Sequence, residues 1–300
     1  MRILVTGATG LVGSRFVELL SSKYEFITPS YPEFDLTNKE SVEKVFSTYT
    51  PDVVVHLAAY TNVSQAENQR DKKDEDCWKI NVEGTRNLVS FINPKKTHLI
   101  HISTDYVFPG SKENPGPYSE DTIPESDSNK VSWYGFSKAE AEREVNKVLG
   151  EDRTILRIIY PVRAKYDLKL DYLRKPLFLF DQGKLYPMFT DQQVNISFID
   201  EVTYALEKIF RNKLYGNYHC CSSDTSTPFD LITYLIEKAR GVKNAVKPTT
   251  LDEFIKNTNS SKVRYPKFGG LKTEKTQETL GIKFSSSREI VDKLVKQGIS

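Results

Sequence analysis

Met1-Arg2-Ile3-Leu4-Val5-Thr6-Gly7-Ala8-Thr9-Gly10-Leu11-Val12-Gly13 is the stretch whose reading decides the fold. Arg2–Thr6 is a continuous apolar run ending at a glycine, the pattern of a strand buried on both faces. Leu11–Leu20 follows with the spacing of a helix. Between them, Gly7 allows a tight turn, Gly10 lets the backbone approach a pyrophosphate, and Gly13 permits close helix–strand packing. The phosphates would meet N–H groups at the positive end of the helix. Three glycines alone are a weak signal, and the spacing here is GxxGxxG rather than GxGxxG. Their place between a first strand and a first helix gives the signal its weight.

The alternation continues outward. Strands are predicted at Glu25–Thr28, Asp52–Leu57, His98–Ser103 and Thr154–Ile159, with helices at Ser41–Tyr49, Asp76–Ile92 and Tyr134–Leu149. Strand–helix alternation forces parallel pairing with right-handed crossovers, and so an α/β, Rossmann-type doubly wound parallel sheet. Beyond Pro161 the rhythm breaks into polar and aromatic stretches around helices near Glu201–Phe210, Pro228–Ala239, Leu251–Ile255 and Ser287–Gln297. The division predicted is a dinucleotide-binding domain over 1–160 and a smaller mixed C-terminal substrate lobe over 161–300, the two interleaving in space. Residues 109–130 form a loop long enough to expect a functional segment, and a lid is a fair reading of it.

Composition narrows the class. The 300 residues are 38% hydrophobic and 27% charged, and 42 Lys+Arg against 40 Asp+Glu leave a net charge of +2. That balance gives no electrostatic reason to bind nucleic acid or an anionic membrane. Three cysteines build no disulfide framework, and four histidines show no metal-ligand spacing, so no metal site is expected. No apolar run approaches the roughly 20 residues that span a bilayer. The N-terminal stretch lacks the charged and apolar regions of a signal peptide. A cytoplasmic protein is expected.

Tyr134 and Lys138 lie four residues apart at a helix start, and so on one face. Free tyrosine titrates near pH 10, and a nearby ammonium is expected to lower that value and make the phenol a proton donor to a carbonyl oxygen. A hydroxyl at the end of the fourth strand, Ser103 or Thr104, would bond the developing alkoxide. A carboxylate some 20 residues after the glycine turn would hold an NAD ribose. The second strand ends near Ser30 with no acid, and Asp35 lies beyond it, so NADP(H) is favoured slightly over NAD(H).

TGATGLVG, HLAAYTNV, INVEGTRNL, HISTDYVFPG and YGFSK together resemble an extended short-chain dehydrogenase/reductase, and within that group the dTDP-4-dehydrorhamnose reductase family. The resemblance runs nearly the length of the chain. It implies a catalytic set of Thr104, Tyr134 and Lys138, and cofactor contacts at Thr9, Gly10, Leu11 and Val12 beside the glycines. Asp35 and Leu36 would stand on the adenine side, Ala58, Ala59 and Tyr60 along the cofactor, and Ile102 by the nicotinamide. Asp105 would sit with Thr104 at the sugar. Tyr160 would stand where the family carries a substrate-touching tryptophan, and the family's DQxGxPT segment has lost its glycine and proline. The implied reaction is NAD(P)H reduction of the 4-keto group of a dTDP-linked 6-deoxyhexose to give dTDP-L-rhamnose, with oligomeric state left open, a homodimer included. Two other readings compete: an epimerase or dehydratase of the same fold, and a non-catalytic nucleotide-binding regulatory subunit. The single acid after Thr104 argues against a dehydratase, and the intact Thr104, Tyr134 and Lys138 against lost catalysis.

Other residues carry weaker expectations. Asn81 either bonds the backbone near the site or lies on a helix surface, and Tyr106 either faces the sugar or packs inward. His56 and His101 read as satisfied interior histidines, Cys220 and Cys221 as small buried residues on a strand (GNYHCCSS), and Asp71–Asp76 as a solvated charge run. Arg264 and Lys267 are candidates for a substrate diphosphate.

Overall fold

The computed structural model describes residues 1–258 and 265–300. Its elements begin with β1 (Arg2–Thr6), α1 (Leu11–Leu20), β2 (Glu25–Ile27), α2 (Lys39–Tyr49), β3 (Val53–His56) and α3 (Val63–Asn68). Next come α4 (Asp76–Trp78), a π-helical turn (Lys79–Glu83), α5 (Gly84–Val89), β4 (His98–Thr104), a 3-10 turn (Asp105–Val107), α6 (Trp133–Leu149) and β5 (Thr154–Ile158). Then follow β6 (Pro161–Val162), α7 (Arg174–Asp181), β7 (Met188–Phe189), β8 (Ser197–Phe198), α8 (Ile199–Arg211) and β9 (Gly216–Cys220). The chain ends with α9 (Pro228–Arg240), β10 (Pro248–Thr249), α10 (Leu251–Thr258), α11 (Glu274–Leu280) and α12 (Ser287–Lys296).

The main sheet has the order β2-β1-β3-β4-β5-β9. β1 pairs in parallel with both β2 and β3, and β3 with β4. The chain leaves β1 for β2 on one side and returns to β3 on the other. The order therefore reverses between β1 and β3, where doubly wound sheets bind their ligands. One face of the sheet buries Leu4, Val54 and Leu99 against Val42 and Val45 of α2, Leu88 and Val89 of α5, and Val145 and Leu149 of α6. Strand interiors without a polar residue need such cover on both faces.

Two compact units result. The first comprises Met1–Phe108, Ile123–Arg157 and Thr203–Tyr218, and the second Pro109–Thr122, Ile158–Val202 and His219–Ser300. Residues 203–218 join the sheet unit because β9 is its sixth strand. The core of the second unit gathers Leu173 and Leu177, Leu231, Ile232, Leu235 and Ile236 of α9, and Ile290, Val291 and Leu294 of α12.

The long loop after Phe108 is tied down in both units. In the second, Phe268 N donates to Gly110 O at 2.9 Å, Gly116 N to Phe268 O at 2.7 Å, Tyr118 N to Gly270 O at 2.9 Å and Lys272 N to Tyr118 O at 2.8 Å. In the first, Arg143 donates to the Glu125 carbonyl at 2.7 Å, and Arg70 to the carbonyls of Ser128 and Val131 at 2.7 and 3.0 Å. A segment held by main-chain ladders and arginine forks is built structure, not a free flap.

α6 is fixed to β5 by a fully buried ion pair. Arg157 donates through Nε and Nη2 to the two carboxylate oxygens of Glu142 at 2.9 and 2.7 Å, and its guanidinium lies 5.0 Å from the Phe108 ring centroid. Both side chains are 1% exposed. Breaking one partner of such a pair leaves an uncompensated buried charge. Glu142→Gln is therefore expected to cost about 3–5 kcal/mol in urea unfolding, and Glu142→Leu with Arg157→Met to recover most of it.

Candidate active site

Of the described site residues predicted from the sequence, Tyr160 and Lys267 fall in the second unit and the others in the first, at the ends of β1, β3 and β4, at the starts of α1 and α6, and, for Asp35 and Leu36, between β2 and α2. Gly7 has φ +68°, a left-handed conformation that suits glycine, and a Cβ there would press on the Ala58 backbone at 2.9 Å. A Cβ on Gly13 would collide with the Gly7 carbonyl. α1 has Gly10 as its N-cap with no side-chain cap, and its first turn carries no acid. With no acid in its first turn, its positive end suits an anion such as a dinucleotide pyrophosphate. The residues present fit that group.

Asp35 turns its carboxylate onto its own chain, accepting from Thr37 N at 2.9 Å and Thr37 Oγ1 at 2.8 Å. Leu36 is buried in the core, and its carbonyl accepts from Asn87 Nδ2 at 2.9 Å. Ala58, Ala59 and Tyr60 follow β3, half-buried. Tyr160 belongs to the second unit, with its ring stacked on Tyr172 at 4.1 Å and its backbone at φ +40°.

Thr6, His56 and Thr85 form a buried line beneath the glycine turn. His56 Nδ1 lies 2.7 Å from Thr6 Oγ1, and Nε2 lies 3.0 Å from Thr85 Oγ1. Thr85 spends its proton on the Asn81 carbonyl at 2.7 Å, so His56 Nε2 donates to it, and Nδ1 accepts from Thr6. Thr6 Oγ1 in turn accepts from Leu57 N and Ala58 N at 3.1 and 3.0 Å. Burial holds His56 neutral, down at about 3.

Asn81 sits in the π-helical turn, a local widening that often marks functional sites. Its amide clamps Tyr60, accepting from Tyr60 N at 2.8 Å and donating to Tyr60 O at 3.2 Å. It also donates to Ser137 Oγ at 2.8 Å, and Ser137 donates to the Tyr134 carbonyl at 2.8 Å. Of the two expectations for Asn81, the backbone-bonding one holds: the residue is 1% exposed.

α6 begins where Ser132 Oγ accepts from Gly135 N at 3.1 Å, an N-cap that fixes Tyr134 in the first turn. A Cβ on Gly135 would strike the Tyr106 carbonyl, so the helix start and the turn after β4 touch backbone to backbone. The Thr104 hydroxyl donates to Asp105 Oδ1 at 3.1 Å, and it stands near enough to the Tyr134 phenol to pull its titration down against burial. Ser103 Oγ is buried without a hydrogen-bond partner among the described residues. Of the two hydroxyls at this strand end, Thr104 is therefore the one that acts on the phenol. Tyr106 packs its ring edge-on to Tyr134 at 5.8 Å.

The electrostatics differ from the simple expectation. The Tyr134 phenol is pushed above its ordinary range, first by burial and then by the Asp105 carboxylate. Lys138 spends its ammonium elsewhere, donating to Ile102 O at 2.8 Å and to His101 Nε2 at 3.2 Å, and burial brings it down to about 8. In the free protein the lysine therefore does not bring the phenol below pH 10. His101, neutral by burial and by the neighbouring ammonium, accepts through Nε2, which leaves its Nδ1 unpartnered among the described residues. His56 is a satisfied interior histidine, and His101 is satisfied at one nitrogen only. Burial lifts Asp105 to about 7.

The weaker expectations sort readily. Residues 71–76 are exposed, and Cys220 and Cys221 are buried. Lys267 is engaged by Asp191 and Asp252, each at 2.7 Å, while Arg264 lies outside the described residues. Among the described residues no group of His, Cys, Asp or Glu could hold a metal ion, and no helix is long and apolar enough to cross a membrane.

Fold and site together define a member of the extended short-chain dehydrogenase/reductase class. The family described as the RmlD substrate binding domain matches residues 1–299, and the chain belongs to it. A dTDP-4-dehydrorhamnose reductase of Aggregatibacter actinomycetemcomitans is 36% identical over 144 residues, 47% of this chain and 46% of that protein. One from Sinorhizobium fredii is 28% identical over 98% of this chain and 97% of its own. The crystal structure of dTDP-4-dehydrorhamnose reductase from Bacillus anthracis in complex with NADP superposes with a TM-score of 0.84 at 25% identity, covering 99% of both chains.

Two measurements follow from the geometry. Asn81→Ala should cost about 2 kcal/mol in urea unfolding, since it strands both backbone groups of Tyr60, whereas Asn81→Asp keeps one of them paired. For Asp105, the unfolded carboxyl titrates near pH 4 and the folded one at about 7. Above pH 7 folding buries a charge that the unfolded chain keeps in water, and below pH 4 it does not. Asp105→Asn should therefore be more stable than the parent by about 2–4 kcal/mol at pH 8. Unfolding curves across pH should show that gap closing toward pH 4.

Proposed function

We propose that this protein reduces the 4-keto group of dTDP-4-dehydrorhamnose with NADPH to give dTDP-L-rhamnose. The observation that carries this reading is the convergence of Thr104, at the end of β4, with the Tyr134 phenol, on a helix that also carries Lys138. The NADP-bound relative of the same fold supports the choice of cofactor, as does an Asp35 carboxylate occupied by Thr37.

The uncapped start of α1 holds the pyrophosphate, and Ala58 to Tyr60 line the dinucleotide. NADPH, when bound, supplies the hydride. Tyr134 gives its proton to the carbonyl oxygen of the sugar, and Thr104 steadies that oxygen as charge gathers on it. A phenol held in its protonated form suits this direction of reaction, because reduction needs a proton donor at the start of each turnover. Lys138 would hold the nicotinamide ribose, and its anchorage on Ile102 O and His101 fixes where its ammonium stands.

Following reduced-cofactor absorbance with dTDP-4-dehydrorhamnose tests the reading. Sugar-dependent oxidation of NADPH is expected, with NADH slower, and Tyr134→Phe should lower kcat by about 10³-fold while binding NADPH as the parent does. Tight NADPH binding without sugar-dependent oxidation would move the assignment to another nucleotide sugar, and absence of dinucleotide binding would sink it.

A further inference from the structure

α3 reaches across to the start of the helix that carries Tyr134. Glu67, near the end of α3, accepts from Trp133 N through Oε2 at 3.0 Å, and its Oε1 accepts from Arg70 Nε at 2.6 Å. Arg70 in turn grips the carbonyls of Ser128 and Val131 at 2.7 and 3.0 Å. The Glu67 side chain is 13% exposed. α3 is itself located, with Asn62 Oδ1 accepting from Gln65 N at its start and the Tyr60 hydroxyl donating to Gln65 Oε1, each at 3.1 Å. Three successive residues at the entry to α6 are thereby fixed: Val131 by its carbonyl, Ser132 as the N-cap and Trp133 by its N–H. The next residue is Tyr134.

Starting the helix does not require this. Ser132 already caps α6 through Gly135 N, and Phe136 N closes the first turn on the Ser132 carbonyl at 2.8 Å. Trp133, 1% exposed, stacks with Trp78 at 5.5 Å and with Phe136 at 5.6 Å, and the Glu142–Arg157 pair ties α6 to β5 further along. The first N–H groups of a helix lack partners within it, and water or a local hydroxyl serves them in most helices. A carboxylate brought from 66 residues away fixes what a local cap leaves free, the sideways position of the first turn.

Building on the function proposed above, we infer that Glu67 is a positioning residue, whose bond to Trp133 N sets where the Tyr134 phenol stands relative to the reacting carbonyl. Glu67 moves no proton and touches no reacting atom. It acts through the backbone, and Arg70 holds its carboxylate from the other side so that it does not swing away. Proton transfer tolerates little slack, since a misplacement of about 1 Å costs on the order of 10²-fold. A carboxylate beside a helix N-terminus also favours the helix dipole, so charge and reach have to be separated.

The test uses the full chain with NADPH and dTDP-4-dehydrorhamnose. Glu67→Asp keeps the charge but falls one methylene short of Trp133 N, whereas Glu67→Gln keeps the reach without the charge. Glu67→Asp and Glu67→Ala should each lower kcat by about 30-fold, with KM for both substrates within about twofold of the parent. Glu67→Gln should recover most of that loss. Should Glu67→Ala not fold, the contrast between the Asp and Gln variants carries the test. A lower melting temperature with the parent's kcat in Glu67→Asp would make Glu67 a structural cap and overturn the inference. Equal losses in Glu67→Asp and Glu67→Gln would overturn it too, because reach would then not decide the rate. Should the parent fail to oxidise NADPH with this sugar, the function proposed above fails, and Glu67 is judged in the resting protein. There, the ¹³C-tyrosine ring resonance of Tyr134, assigned with Tyr134→Phe, should move in Glu67→Asp and return toward the parent's position in Glu67→Gln. A resonance that stays in place in Glu67→Asp would sink the inference.

Discussion

The arrangement depends on one thread of buried hydrogen bonds running across the carboxyl ends of the central strands. It passes from Thr6 to His56, from His56 to Thr85, from Thr85 to the carbonyl of Asn81, and from the Asn81 amide through Ser137 to the backbone of Tyr134. Each link joins a different element: β1, β3, α5, the π-helical turn and α6. Hydrogen bonds in a dry interior are unforgiving, since a misplaced partner leaves an unsatisfied group rather than a solvated one. The glycine turn and the phenol are thereby located by the same set of constraints, although 120-odd residues separate them in the chain.

Around that thread the protein concentrates its unfavourable burial. Tyr134, Lys138, Asp105 and His101 are all displaced from their ordinary titration ranges with burial as the first cause, and the ion pair of Arg157 and Glu142 sits behind them fully satisfied. The contrast is informative. Arg157 and Glu142 match each other fork to fork and anchor α6, whereas the four displaced groups share partners incompletely. Displaced pKa values with unequal pairing cluster at functional sites, and structural ion pairs displace them too.

The sequence carried most of this to the reader, and what it withheld has physical causes. β1, α1 and the strands after them were legible because unbroken apolar runs and a glycine turn follow directly from parallel pairing. Tyr134 and Lys138 were legible because four residues is one helical turn. The interruption of the helix at Lys79–Glu83 was not, since a π-turn keeps the same residues inward and alters only the backbone bonding. α3 and α7 were missed because each is short, and α7 carries Phe178 outward among its apolar residues. β9 read as a buried strand, but nothing in GNYHC says that its neighbour is β5. The sense of the phenol's shift also lay beyond the sequence. It depends on which acceptors Lys138 finds in space, and these are Ile102 O and His101.

The seam between the loop after Phe108 and residues 266–272 has an evolutionary corollary. Its ties at Gly110, Gly116 and Tyr118 run from main chain to main chain, and the residues at 112–115 point their side chains into solvent. Identity at those four positions is thus decoupled from the framework that carries them. Substitutions can accumulate there without loosening the seam, which gives this lineage a stretch of surface on which to diversify while the buried thread stays fixed.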